Sequence, residues 1–157
     1  MALETAPKRG VVVHYGPRKN VQKFGGAHGS KGRVKTAVWT LGVDEVNADF
    51  ATADLGSDAL AMVIPAGAVI LSAMLDVKTA FDGTTTTLTV GLEKSDGTEI
   101  DVDGIDVTAS VAAVGTVVCD GALVGATIGE DAGYLAVVGS SADNTAGEVD
   151  IIVEYVV

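Results

Sequence analysis

From position 34 onward the chain carries short apolar runs that alternate with polar residues at a period of two, the repeat of a strand with one buried face. The last segment is the clearest. Val149, Ile151, Val153, Tyr155 and Val157 fall on one face, with Glu148, Asp150 and Glu154 opposite, which predicts a strand that ties this end of the chain down. Residues 69–79 alternate too. Val69, Leu71, Ala73, Leu75 and Val77 share one side, and Ser72, Asp76 and Lys78 share the other with Ile70 and Met74. Leu88, Val90 and Leu92 oppose Thr87, Thr89 and Gly91. Residues 34–41, 60–64, 100–107, 116–119, 123–124 and 134–138 add further β-rich runs.

Turn signals separate these runs: Pro65-Ala66-Gly67, Phe81-Asp82-Gly83, Ser95-Asp96-Gly97-Thr98 and Asp120-Gly121. Short helical turns are expected at most in residues 43–53 and 109–114, and neither has strong caps. The count is about eight strands with little helix, so the pattern predicts an all-β sandwich or barrel over residues 34–157.

Residues 1–33 do not follow this pattern. They are rich in glycine, as in Gly25-Gly26-Ala27-His28-Gly29-Ser30-Lys31-Gly32-Arg33, and poor in large apolar side chains. Such a stretch buries too little surface to fold alone and reads as an extended N-terminal arm. Val11, Val12 and Val13 with His14 and Tyr15 form the exception, a short run of strand formers able to add to a sheet edge of this copy or of a neighbour. Fully extended, 33 residues reach about 110 Å.

Charge sharpens the division. Eight of the ten basic residues (Lys8, Arg9, Arg18, Lys19, Lys23, Lys31, Arg33 and Lys35) precede position 37, against the single acid Glu4. The first 36 residues therefore carry +7 and the remainder −18, within a total of −11. Apolar residues make up 48% of the 157-residue chain, and mean hydropathy is +0.40. That combination points to apolar surface shared between copies. A cationic arm can bind nucleic acid, but a body of −18 repels phosphate at close range, and Tyr15 and Phe24 make a thin stacking platform. An acidic protein surface uses both halves of the charge pattern. The arm residues Lys8, Arg9, Val11, Val12, Val13, Tyr15, Arg18, Lys19, Lys23, Lys31, Arg33 and Lys35 are the candidate partner-binding set.

No catalytic constellation, cofactor or metal site is expected. The lone Cys119 excludes an internal disulfide and a cysteine zinc site, and reads as a small buried hydrophobe. His14 and His28 both lie in the arm, away from any rigid setting. Residues 25–31 lack the Gly-Lys-Ser/Thr ending of a phosphate loop. The acidic run Glu93, Asp96, Glu99, Asp101, Asp103 and Asp106 does not fit a calcium-loop spacing. Asp101 and Asp103 alternate with Ile100 and Val102 as a solvent-facing strand row would. No apolar stretch is long enough for a membrane helix, and residues 1–7 lack the apolar core of a signal peptide.

Ile64-Pro65-Ala66-Gly67-Ala68-Val69-Ile70-Leu71, Asp76-Val77-Lys78-Thr79-Ala80-Phe81-Asp82-Gly83 and Leu88-Thr89-Val90-Gly91 are similar to a pattern in small β-rich structural proteins of tailed bacteriophages. The ending Thr145-Ala146-Gly147-Glu148-Val149-Asp150-Ile151-Ile152-Val153-Glu154-Tyr155-Val156 resembles it too, so residues 60–92 and 143–157 carry the likeness. The resemblance implies a jelly-roll-like fold and a virion protein, made in the host cytoplasm. Its expected role is a head decoration (cement) protein on the capsid surface, a homotrimer bound to the major capsid protein. Nothing in it supplies catalytic residues. Two rivals stand beside it. One is a tail, fibre or inward-facing head protein whose arm contacts DNA. The other is a carbohydrate-binding sandwich, for which Trp39, Phe50, Phe81, Tyr134 and Tyr155 are scattered rather than clustered.

Overall fold

The computed structural model describes residues 29–31 (backbone), 33–49, 63–84 and 86–157. Eight strands are present among them: β1 Gly29–Lys31, β2 Val34–Gly42, β3 Val69–Thr79, β4 Thr87–Glu93, β5 Glu99–Ser110, β6 Gly115–Val118, β7 Tyr134–Gly139 and β8 Glu148–Val156. One short helix, α1, spans Val43–Asn47. The strands form two antiparallel sheets, in the orders β1-β2-β8-β3-β6 and β5-β4-β7. The expected all-β sandwich is the observed architecture.

The core lies between the sheets. Trp39, Leu41, Ile70, Leu75, Ile151 and Tyr155 come from the five-stranded sheet, and Leu88, Leu92, Ile105 and Leu135 from the three-stranded one, all fully buried. Strand β8 holds the centre of its sheet. Its Ile151 sits opposite Trp39 of β2 on one side and Leu75 of β3 on the other. Its alternation survives intact from sequence to structure except at the end, where Val157 is exposed. Beside the strands, residues 64–70 run along 124–133, with Ile64 and Gly133 exchanging backbone hydrogen bonds at 2.9 and 2.8 Å. The Pro65-Ala66-Gly67 turn is real: the Ala68 N–H donates to the Pro65 carbonyl at 3.1 Å, and Gly67 takes a positive φ of 73° that glycine tolerates without strain.

Three expectations fail locally. In β3, Leu71 is a bulge residue between the pairs Ile70↔Tyr155 and Ser72↔Glu154. The extra residue flips the phase, so Ile70 is buried, Leu71 is 45% exposed and Val69 pairs on the outer side with Val156. In β5, residues 102–105 stand opposite the single Gly91. That bulge reverses the expected acidic row: Val102 is exposed, Asp101 and Asp103 are half-buried, and Asp106 is buried. Residues 109–114 form no helical turn. Residues 109 and 110 end β5, Val111 beyond it donates to Thr86 and accepts from Phe81, and 112–114 form a bend. In the expected helical stretch 43–53, α1 occupies Val43–Asn47, and residues 50–53 lie outside the described residues. Of the run 60–64, residues 60–62 also lie outside them.

Candidate functional site

Among the described residues the titratable groups Cys119 and Asp106 are buried. Cys119 is buried, and its backbone N–H donates to the Ala73 carbonyl at 3.0 Å. Burial, then the neighbouring Asp106 and Asp120 carboxylates, push its thiol up to about 12, so it holds its proton at neutral pH and is a poor nucleophile. Asp106 accepts the Thr108 N–H at 2.9 Å, and burial raises its pKa. Burial, with a hydrogen bond to Asp103, also raises that of Asp101. Among the described residues no three His, Cys, Asp or Glu side chains converge as a metal-ligand set.

One end of the sandwich is pinned by polar side chains. The Asn144 amide donates to Asn47 Oδ1 at 2.7 Å and to the Ser141 carbonyl at 3.0 Å, and its Oδ1 accepts the Gly83 N–H at 2.9 Å. Asp82 accepts the Thr145 hydroxyl at 2.6 Å and the N–H groups of Thr145 and Ala146. The Thr145 hydroxyl first, then these backbone donors, lower its pKa to about 2. These bonds fix the loops that hold Asn47, Asp82, Gly83 and residues 141–146 together at this end.

The surface is more distinctive. On the solvent face of the five-stranded sheet the register aligns Val38 of β2, Ile152 of β8, Met74 of β3 and Val118 of β6 in one continuous row. Val118 is 76% exposed and the other three are half-buried. Four strands at about 4.8 Å spacing make this apolar stripe about 14 Å long. Polar rows flank it. On one side Ser72 donates to Glu154 at 3.0 Å. On the other Thr40 donates to Asp150 at 2.6 Å, and Lys78 bridges Asp76 and Asp150. Beyond that row a cleft of about 360 Å³ is lined by Thr40, Gly42, Val43 and the carboxylates Asp44, Glu45 and Glu148. The solvent face of the other sheet differs. It presents Val102 and Val107 of β5, Thr89 of β4, and Ala136 and Val138 of β7, with no charged side chain in the rows Thr89↔Val138 and Gly91↔Ala136.

Of the residues singled out from the sequence, Lys8, Arg9, Val11, Val12, Val13, Tyr15, Arg18, Lys19 and Lys23 lie outside the described residues, as do His14, His28 and Phe50. Lys31 stands in β1 opposite Val34, Arg33 is exposed in the turn, and Lys35 is half-buried in β2 opposite Tyr155. Position 31 thus pairs next to the β1–β2 turn that holds Arg33, and β1 and β2 on either side of that turn belong to one sheet. Trp39, Phe81 and Tyr155 are buried in the core, which leaves Tyr134 as the one described aromatic with partial exposure. The apolar stripe joins residues that the period-two pattern alone does not bring together. Its signal in the sequence is Ile152, an apolar residue among Glu148, Asp150 and Glu154, and Met74, placed between Ser72 and Asp76.

No family model matches the chain, and no curated protein matches it. Among solved structures, the fold is similar to a chain in the capsid of Ralstonia phage GP4, 24% identical with a TM-score of 0.53 over 80% of this chain and 84% of that one. A chain of the cyanophage Pam1 capsid asymmetric unit aligns over 98% of both chains at 19% identity and a TM-score of 0.47. The structural neighbours are thus phage capsid proteins, and the likeness to the GP4 chain is one of fold: a two-sheet β-sandwich.

Proposed function

We propose that this chain is a structural virion protein of a tailed phage, a decoration (cement) protein on the outer surface of the head, acting as a homo-oligomer on the major capsid protein. The observation that carries the reading is the sandwich fold shared with the GP4 capsid chain. The strand order β2-β8-β3-β6 packed on β5-β4-β7, with β8 returning between β2 and β3, supports its jelly-roll form, which is built from two Greek keys. The inward-turned Cys119 and Asp106 favour a mechanical over a catalytic role. Two broad sheet faces with exposed valines supply surface for flat contacts between copies.

In this reading residues 1–33 are an arm that engages acidic surface of the shell or of an adjacent copy, through Lys8, Arg9, Arg18, Lys19, Lys23, Lys31 and Arg33, with Lys35 at its root. Many modest contacts, repeated over a symmetric shell, add by avidity. The test is cryo-electron microscopy of heads mixed with the full chain or with a chain lacking residues 1–33. The full chain is expected to fill ordered positions outside the shell as trimers, and the truncated body to fold but lose occupancy. Full occupancy by the truncated body overturns the arm assignment. Density inside the shell, or none on any head, overturns the decoration role.

A further inference from the structure

We infer that the apolar stripe Val38–Ile152–Met74–Val118 is the docking site for residues 8–19 of the same chain. The argument begins with pattern. The stripe is apolar along its length and flanked by carboxylates: Glu154 on one side, Asp150 and Asp76 on the other, with Asp44, Glu45 and Glu148 in the adjoining cleft. Residues 8–19 have the complementary order, with Lys8 and Arg9, then Val11, Val12, Val13 and Tyr15, then Arg18 and Lys19. Five extended residues span about 16 Å, matching the stripe. The flanking rows lie two residues away along each strand, about 7 Å, within the reach of lysine and arginine side chains.

Charge selects this occupant over the chain's other candidate. Against those six carboxylates, the described side chains on the outer face of β2, β8, β3 and β6 include one cation, Lys78, which is already engaged by Asp76 and Asp150. Residues 8–19 bring four cations and no acid, whereas residues 50–62 bring Asp54 and Asp58 and no cation. Connectivity favours the same copy. Strand β1 pairs beside β2 with Gly29 opposite Thr36, so the chain joins the sheet one strand from Val38. The ten steps from Lys19 to Gly29 reach up to about 35 Å, and a short tether sets an effective concentration in the millimolar range. The pairing needs no capsid, so it stands apart from the decoration reading. On a shell it would make attachment of the arm an exchange from one acidic surface to another.

The experiment uses the full chain with a photo-crosslinking residue in place of Val13, irradiated at about 1 µM. The crosslinked product is sized under denaturing conditions and mapped by mass spectrometry. The expected product has the mass of one chain and joins position 13 to residues of β2, β3, β6 or β8. Met74→Lys with Val118→Lys, both on the solvent face, should cut its yield at least fivefold with the far-ultraviolet dichroism unchanged. Val107→Lys, on the other sheet, should leave the yield unchanged. Products of two-chain mass, crosslinks on β5 or β7, no crosslink, or a yield indifferent to the Met74 and Val118 changes each overturn the assignment.

Discussion

Replacing Gly91 by alanine adds one methyl group where β5 leaves no room. The new Cβ would lie 2.2 Å from the Asp101 carbonyl oxygen and 2.2 Å from the Val102 carbonyl carbon, both backbone atoms. Ordinary contact begins at 3.4 Å, so β5 would have to retreat by about 1.2 Å. That strand is held on both sides. It pairs with β4 at Val90↔Asp106 and Leu92↔Asp101, while the Gly104 carbonyl accepts the Leu123 N–H at 2.7 Å and the Ile105 carbonyl accepts the Gly121 N–H at 2.9 Å. No flexible side chain can absorb the shift. The substitution therefore sits at the top of the range for overpacking, about 3 kcal/mol. For a domain of this size that lowers Tm by about 6–12 °C. Thermal unfolding followed by circular dichroism reads this directly. Gly97→Ala is the contrast: its Cβ meets open space, and only the φ of +79° is strained, for about 1 kcal/mol. A Gly91→Ala protein whose Tm falls by less than about 2 °C would show that β5 is not held as described.

Ile151→Ala empties the centre of β8 between Trp39 and Leu75 and should cost about 3–4 kcal/mol, measured as a shift of the urea midpoint at constant slope. Asp82→Asn tests the loop anchor through pH. Its pKa is depressed to about 2 in the folded chain, so its contribution is present above the unfolded pKa near 4 and is lost as pH falls through 2. The gap in Tm between wild type and variant should be constant above pH 5 and close between pH 4 and 2. Cys119 should resist iodoacetamide in the folded chain at pH 8, reacting about 100-fold slower than in denaturant, because its thiol titrates near 12 and is buried.

The strands whose ladders are regular were legible. Strand β8 pairs without interruption on both sides from β2 to β3 across its middle, so a period of two in the sequence remains a period of two in space. Strands β3 and β5 defeat that reading because a bulge resets the phase, and its position depends on partners far along the chain. Leu71 turns outward because Tyr155 and Glu154 pair with Ile70 and Ser72 around it. Asp106 turns inward because Gly91 and Gly121 let backbone approach β5 from two directions. The stripe was harder still to foresee. Its four members come from four strands more than thirty residues apart in sequence, and only register places them in line. The division into a cationic N-terminal stretch and an anionic body needed no structure, because net charge by segment is a sum over residues.

That division has a consequence for association that does not depend on which face meets which. Removing residues 1–33 deletes seven cations and one acid and takes the net charge from −11 to −17. Copies of the truncated body then repel one another more strongly wherever they meet, and salt screens that repulsion, with a Debye length falling from about 14 Å at 50 mM to about 4 Å at 500 mM. Sedimentation velocity at these two salt concentrations should show the truncated body associating more weakly than the full chain at 50 mM, with the gap narrowing at 500 mM. The change comes chiefly from the truncated body gaining affinity. A gap that is constant with salt would mean that the first 33 residues act through apolar contact alone. In that case Val11, Val12, Val13 and Tyr15, rather than the seven cations, would be the residues to follow.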